Sequence, residues 1–286
     1  MYKLYCKKFH SPTAEVIKEI NYDKKIKDFT YCEKLGFLFT IPETNQLGCL
    51  KSGVFSERLA NGFEKMLHSP EQIHSRKNFI YVICNNGKEF IKIEKPFLYV
   101  SKIIDKKSES LVEKLTSKHN ETFVIDLATD TYGRIFLCYD GINRCLLISG
   151  ARLTNYVGNG YPTYATSKKA KYCSLNKPSG ITCTENTVYI ADSNNNCIRM
   201  VNGNAVSAVI GMPNERGDKE GFGLDARLNF PSKMTSFSDS VFFVDENKVK
   251  TFTTKNLYVK DYHVFNGNII SIQADDEKNL YVLEEL

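Results

Sequence analysis

No run in this sequence approaches eighteen consecutive apolar residues, so a membrane-spanning helix is not expected. The opening stretch, Met1-Tyr2-Lys3-Leu4-Tyr5-Cys6-Lys7-Lys8, has no apolar segment behind its charges and does not read as a signal peptide. The nine cysteines include no Cys-x-x-Cys pair. The five histidines (His10, His68, His74, His119, His263) do not join them at metal-ligand spacing. A zinc site and a disulfide framework are therefore not expected, and neither is a bound cofactor. Several cysteines lie inside apolar runs, as in Ile135-Phe136-Leu137-Cys138, and read as small buried hydrophobes in a reducing compartment. The expected location is cytoplasmic, or a virus particle assembled there, with no membrane contact.

The net charge of +5 comes from lysine rather than from arginine, the better reader of bases and phosphates, so it points only weakly to nucleic acid. With 42% hydrophobic and 25% charged residues, the chain has enough apolar material for a full core.

A repeat is the strongest signal present. Leu175-Asn176-Lys177-Pro178-Ser179-Gly180-Ile181-Thr182-Cys183 leads into Thr187-Val188-Tyr189-Ile190-Ala191-Asp192 and then Ser193-Asn194-Asn195-Asn196-Cys197-Ile198-Arg199-Met200. This reads as a proline turn, a short strand, a polar turn, a second strand, an Asp/Asn turn and a third strand. Asp192 is expected to bond the backbone of its own turn, and the asparagines to supply left-handed conformations. The unit recurs 53 residues earlier around Phe136 and 53 residues later around Phe242, and Leu228-Asn229-Phe230-Pro231-Ser232 repeats Leu175 to Ser179. Weaker copies centre on Leu38, Tyr81 and Tyr281. Steps of 43, 55, 53, 53 and 39 residues between these positions suit four-stranded propeller blades.

Pro178-x-Gly180-Ile181, followed by Val188-Tyr189-Ile190-Ala191-Asp192-Ser193-x-Asn195-x-x-Ile198-Arg199, resembles an NHL repeat. The glycine-rich stretch Gly211 to Asn229 is similar to the inter-blade loop of that family, and the likeness is specific over residues 123–250. The expected fold is all-β: one six-bladed propeller of four-stranded antiparallel blades spanning 1–286. Blades are expected near 23–75, 76–118, 119–170, 171–226, 227–262, and 263–286 joined by 1–22. The last unit contains only two strands, and an open end would expose a sheet edge. Tyr2–Cys6 and Ala14–Ile20 are expected to complete it. Helices are expected over 55–68, where Phe55, Leu59, Phe63, Met66 and Leu67 fall at helical spacing before Pro70, and over 105–119.

Function is expected on the loops, where a rigid scaffold carries its binding residues. The turn at Asp192, Asn194 and Asn195 should share one face with the loops 158–176 and 211–229, the second of which carries Arg216. The first holds Tyr161, Tyr164 and Tyr172 among Lys168, Lys169 and Lys171. Aromatics interleaved with lysines suit single-stranded RNA, which the resemblance implies for some NHL propellers. The glycines at 211, 217, 221 and 223 sit among β repeats and read as turn formers, not as a phosphate cradle.

Lactonase-like propellers hold metals over the central channel, but no repeated histidine marks such positions here. Asp126, Asp130 and Asp275 could reach a central opening, yet read as turn residues. The leading expectation is a non-catalytic interaction platform, a structural or scaffold subunit of a cellular complex or a virus or phage particle, with other protein subunits as partners. RNA binding is the alternative, and a metal-dependent hydrolase or lyase the third.

Overall fold

A computed structural model describes residues 1–9, 11, 13–57, 67–76, 78–95, 99–117, 123–185 and 187–286. Six antiparallel sheets of at least four strands each stand around one axis. The inner strands are Asp28–Cys32, Pro70–Arg76, Val124–Thr129, Pro178–Thr184, Pro231–Phe237 and Asn268–Ala274. Each contacts the inner strands of its neighbours, closing the ring.

The middle strands are apolar along their length because neighbouring blades cover both faces. Thr187–Asp192 is buried at every position after the first. The outer strand Ala205–Ile210 is only partly covered, with Val206 and Ile210 buried and Ala205 and Ser207 exposed. The core is accordingly divided into six apolar clusters, one between each adjacent pair of blades.

The sixth blade joins the ends of the chain. Tyr2–Lys8 pairs with Asn279–Glu285 over seven residues, and Glu15–Ile20 forms the outer strand beyond it. Leu4, fully buried, packs with Phe29, Phe39 and Leu283, so the first strand links the sixth and first blades. The second blade is as regular as the others, although its sequence departs most from the repeat. Its inner strand begins at Pro70, ahead of the expected boundary at 75/76, because Pro70–Arg76 pairs with Phe79–Cys84.

The expected helix at 105–119 is present as Lys106–Thr116. The Asp105 side chain accepts a hydrogen bond from Ser108 N at 2.8 Å, and Val112 is buried between the second and third blades. Of the segment 55–68, Phe55 belongs to the outer strand Val54–Ser56, and residues 58–66 lie outside the described residues. The fifth blade gains a short fifth strand, Gly221–Phe222, on its outer edge. All nine cysteines are free thiols, six of them buried. Among the described residues no helix is long and apolar enough to cross a membrane.

Candidate interaction face and central bore

The turn after the second strand meets the loops that enter and leave the same blade on one face. Asn194 N donates to Asn176 O, Asn195 Nδ2 donates to Thr163 O, and Asn214 N donates to Asn195 O. Asn196 takes the left-handed conformation (φ 54°), as do Asn45, Asn85 and Asn143 in the matching turns.

Asp192 does not bond its own turn backbone as expected. Its carboxylate is fully buried and accepts from Asn176 N at 2.7 Å, Asn195 Nδ2 at 2.8 Å and Arg199 Nη1 at 3.1 Å. Arg199 is equally buried. It donates onward to Ala165 O and Ser174 O, and its guanidinium lies 4.5 Å from the centre of the Tyr164 ring. Arg199 projects from the third strand opposite Ile190, two residues before the aspartate. Asp192, Asn195 and Tyr164 are therefore fastenings of the 158–176 loop. Burial pushes the Asp192 carboxyl up to about 6, against the pull of its three donors.

The fifth blade repeats this clamp with different residues. Asp245 accepts from Asn229 N at 2.7 Å, and the buried Lys250, opposite Phe243, occupies the position of Arg199. The Lys250 ammonium pairs with Asp218 of the incoming loop and lies 3.4 Å from Asp245 and 3.4 Å from Asp261. Burial again raises the aspartate, Asp245, to about 6. Arg199 falls inside the repeat motif, but Lys250 is off the 53-residue register, which aligns Phe252 with Arg199, because the turn after Asp245 is shorter than the turn after Asp192.

The other expected binding residues divide. Tyr161 is exposed on the face, and exposed Arg216 lies over the Phe230 ring at 4.8 Å and pairs with Glu246 at 3.4 Å. Lys168, Lys169, Lys171 and Tyr172 are exposed on the outer rim instead. There the loop runs beside the outer strand of the fourth blade, with Ser167 bridged to Val206. Lys171 Nζ stands 5.0 Å from the centre of the Tyr172 ring.

A second polar constellation fills the bore. Asp28, Gln72, Asp126, Gly180, Lys233 and Ser271 occupy one matching position on the six inner strands, each just before the residue that pairs with the middle of the second strand. Lys233 crosses the axis from the fifth blade. Its Nζ donates to Gln72 Oε1 of the second blade at 3.1 Å and to Ile125 O of the third. Asp126 Oδ2 accepts from Ile181 N at 2.9 Å and Met234 N at 3.0 Å, and Asp28 Oδ2 from Ile73 N at 2.9 Å.

Asp126 is thus an axial residue and not a turn residue. Asp130 and Asp275 do serve turns, accepting from Tyr132 N and Arg134 N, and from Glu277 N and Asn279 N. Burial, aided by the nearby Asp28, pushes the Asp126 carboxyl up to about 7 despite Lys233 and two backbone donors. Among the described residues no group of three or more His, Cys, Asp or Glu side chains is placed to hold a metal.

No family model matches the chain, and no curated protein matches it in sequence. The NHL resemblance therefore rests on the repeat residues alone. Solved structures match the fold. Virginiamycin B lyase from Staphylococcus aureus superposes with a TM-score of 0.57 at 14% identity, covering 100% of each chain. A chain of a nidogen/laminin complex gives 0.59 at 12% identity, over 100% of this chain and 99% of that one. An auxiliary nutrient binding protein from Bacteroides thetaiotaomicron gives 0.58 at 13% identity, over 95% of this chain and 62% of that one. Such identities establish a common β-propeller fold and nothing finer.

Proposed function

We propose that this propeller is a non-catalytic interaction platform, a scaffold or structural subunit that offers its loop face to another protein. One observation carries the reading. Interior cations close on internal partners, Arg199 on Asp192, Lys250 on three aspartates and Lys233 on Gln72, while Tyr161 and Phe230 stand exposed above them. Rigid loops with exposed aromatics suit protein recognition. Propellers in the nidogen/laminin complex and the nutrient binding protein are compatible with such a role. Nine free thiols favour a reducing setting, a cytoplasm or a virus particle assembled in one. Tyr161→Ala with Phe230→Ala should abolish capture of a stoichiometric partner from the native source while leaving the melting temperature unchanged. Unchanged capture would remove the loop face from the reading.

RNA binding is a second reading, favoured by the exposed Lys168, Lys169 and Lys171 beside Tyr172, with no acid at ion-pair distance among the described residues. It requires affinity for a single-stranded oligoribonucleotide that falls steeply with salt and disappears when the three lysines become glutamate. A lyase activity has only the shared fold of virginiamycin B lyase behind it.

A further inference from the structure

The third and fourth blades part at the rim into a cavity of about 390 Å³, lined by Asn155, Tyr156, Lys169, Ala170, Lys171 and Asn204. We propose that this cavity is a binding site for a small phosphate ester of mononucleotide size, independent of the protein-docking face. The volume falls within the range of small-molecule sites.

The charge of the lining is one-sided. Lys169 and Lys171 are part of the wall, the Lys171 ammonium lying 5.0 Å from the centre of the neighbouring Tyr172 ring, and among the described residues no carboxylate lines the cavity. Two acids of the neighbouring inter-blade loop are engaged elsewhere: Asp218 pairs with Lys248 and Lys250, and Glu215 with Arg227. Lysines are point charges with freely turning donors, suited to a terminal phosphate without fixed bidentate geometry.

The walls are held in place, so little ordering is needed on binding. Ala170 is buried and its carbonyl accepts from Gly158 N at 3.1 Å, fixing the backbone between the two lysines. Tyr156 packs on Phe136, with ring centres 5.0 Å apart. Asn155 Nδ2 donates to Gly158 O at 2.9 Å, which fixes its side chain in the wall. Asn204 closes the site from the turn between the third and fourth strands of the next blade.

The test is titration calorimetry of the full chain at low salt with AMP, adenosine and inorganic phosphate. Saturable one-to-one binding of AMP, weaker binding of inorganic phosphate and none of adenosine are expected. Lys169→Glu with Lys171→Glu should weaken AMP by about tenfold or more, the loss expected for charge-assisted hydrogen bonds. Lys168→Glu reverses one charge on the same loop outside the cavity, half the change made by the double variant, and should alter affinity by no more than about twofold. Circular dichroism confirms that the variants are folded. Absence of saturable AMP binding at low millimolar concentration overturns the site. An equal loss in Lys168→Glu also overturns it, since that is general electrostatic attraction. Adenosine binding as tightly as AMP removes the phosphate from the proposal.

Discussion

The Asp192 carboxylate and the Arg199 guanidinium lie 3.1 Å apart with neither side chain exposed to solvent, and together they hold the 158–176 loop to the fourth blade. Arg199→Met leaves Asp192 buried without its cation. A loss of about 3–5 kcal/mol follows from breaking one side of a buried pair. It should appear as a lower urea midpoint, with faster tryptic cleavage at Lys168–Lys171. Adding Asp192→Asn should recover part of the loss, because the buried charge is then gone. A double variant no better than Arg199→Met would mean that the loop contacts of Arg199 matter and the ion pair does not.

The closing blade makes the first strand part of the fold. Leu4 is fully buried between the sixth and first blades, so Leu4→Ala should cost about 2–5 kcal/mol. Deleting residues 1–20 removes two of the four strands of that blade and should abolish a single cooperative thermal transition. A deletion variant that melts as the full chain does would show these strands to be dispensable.

Asp126 gives stability a pH dependence of definite sign. Its native pKa, about 7, lies above the value of about 3.9 expected unfolded. The native state therefore binds more protons between those values, and the carboxyl's contribution falls as pH rises through that window. Both backbone donors reach one oxygen, Oδ2, so Asp126→Asn can keep them on its carbonyl. Melting temperatures from pH 4.5 to 7.5 should decline more steeply in the wild type than in Asp126→Asn, with Lys233 and Asp28 present in both. Parallel curves would contradict the raised carboxyl.

Two glycines separate backbone conformation from crowding. Gly203 and Gly211 both have positive φ, but a Cβ at Gly203 meets nothing within 4 Å, whereas one at Gly211 lies 2.6 Å from Asn196 O. Both alanine substitutions carry the left-handed penalty of about 1–2 kcal/mol. Gly211→Ala should melt lower than Gly203→Ala by roughly 2 °C or more, as an added 1 kcal/mol predicts for a domain above 150 residues. Equal melting would show that the turn yields freely.

Much of this architecture was legible in the chain. Strands buried on both faces must be apolar throughout, so Val188–Ala191 and Val241–Val244 announced themselves and fixed the 53-residue register. The two-stranded final unit then required Tyr2–Cys6. The clamps were hidden because Arg199 and Lys250 are charges in strands, and only closure of the incoming loops buries them. Gly221–Phe222 is too short to show a periodicity. The split between the face and the rim depends on the path of the 158–176 loop, which sequence spacing does not record. Lys233 stands where the repeat has Gly180, a departure whose meaning emerged only when six inner strands met at the axis.

The platform reading is tested most directly by cross-linking the chain in its native source and mapping the linked sites by mass spectrometry. A stoichiometric protein partner is expected, with links near Tyr161, Arg216 and Phe230. A chain recovered as a monomer without a partner, or linked only through the opposite turns around Gly150 and Gly203, would contradict it.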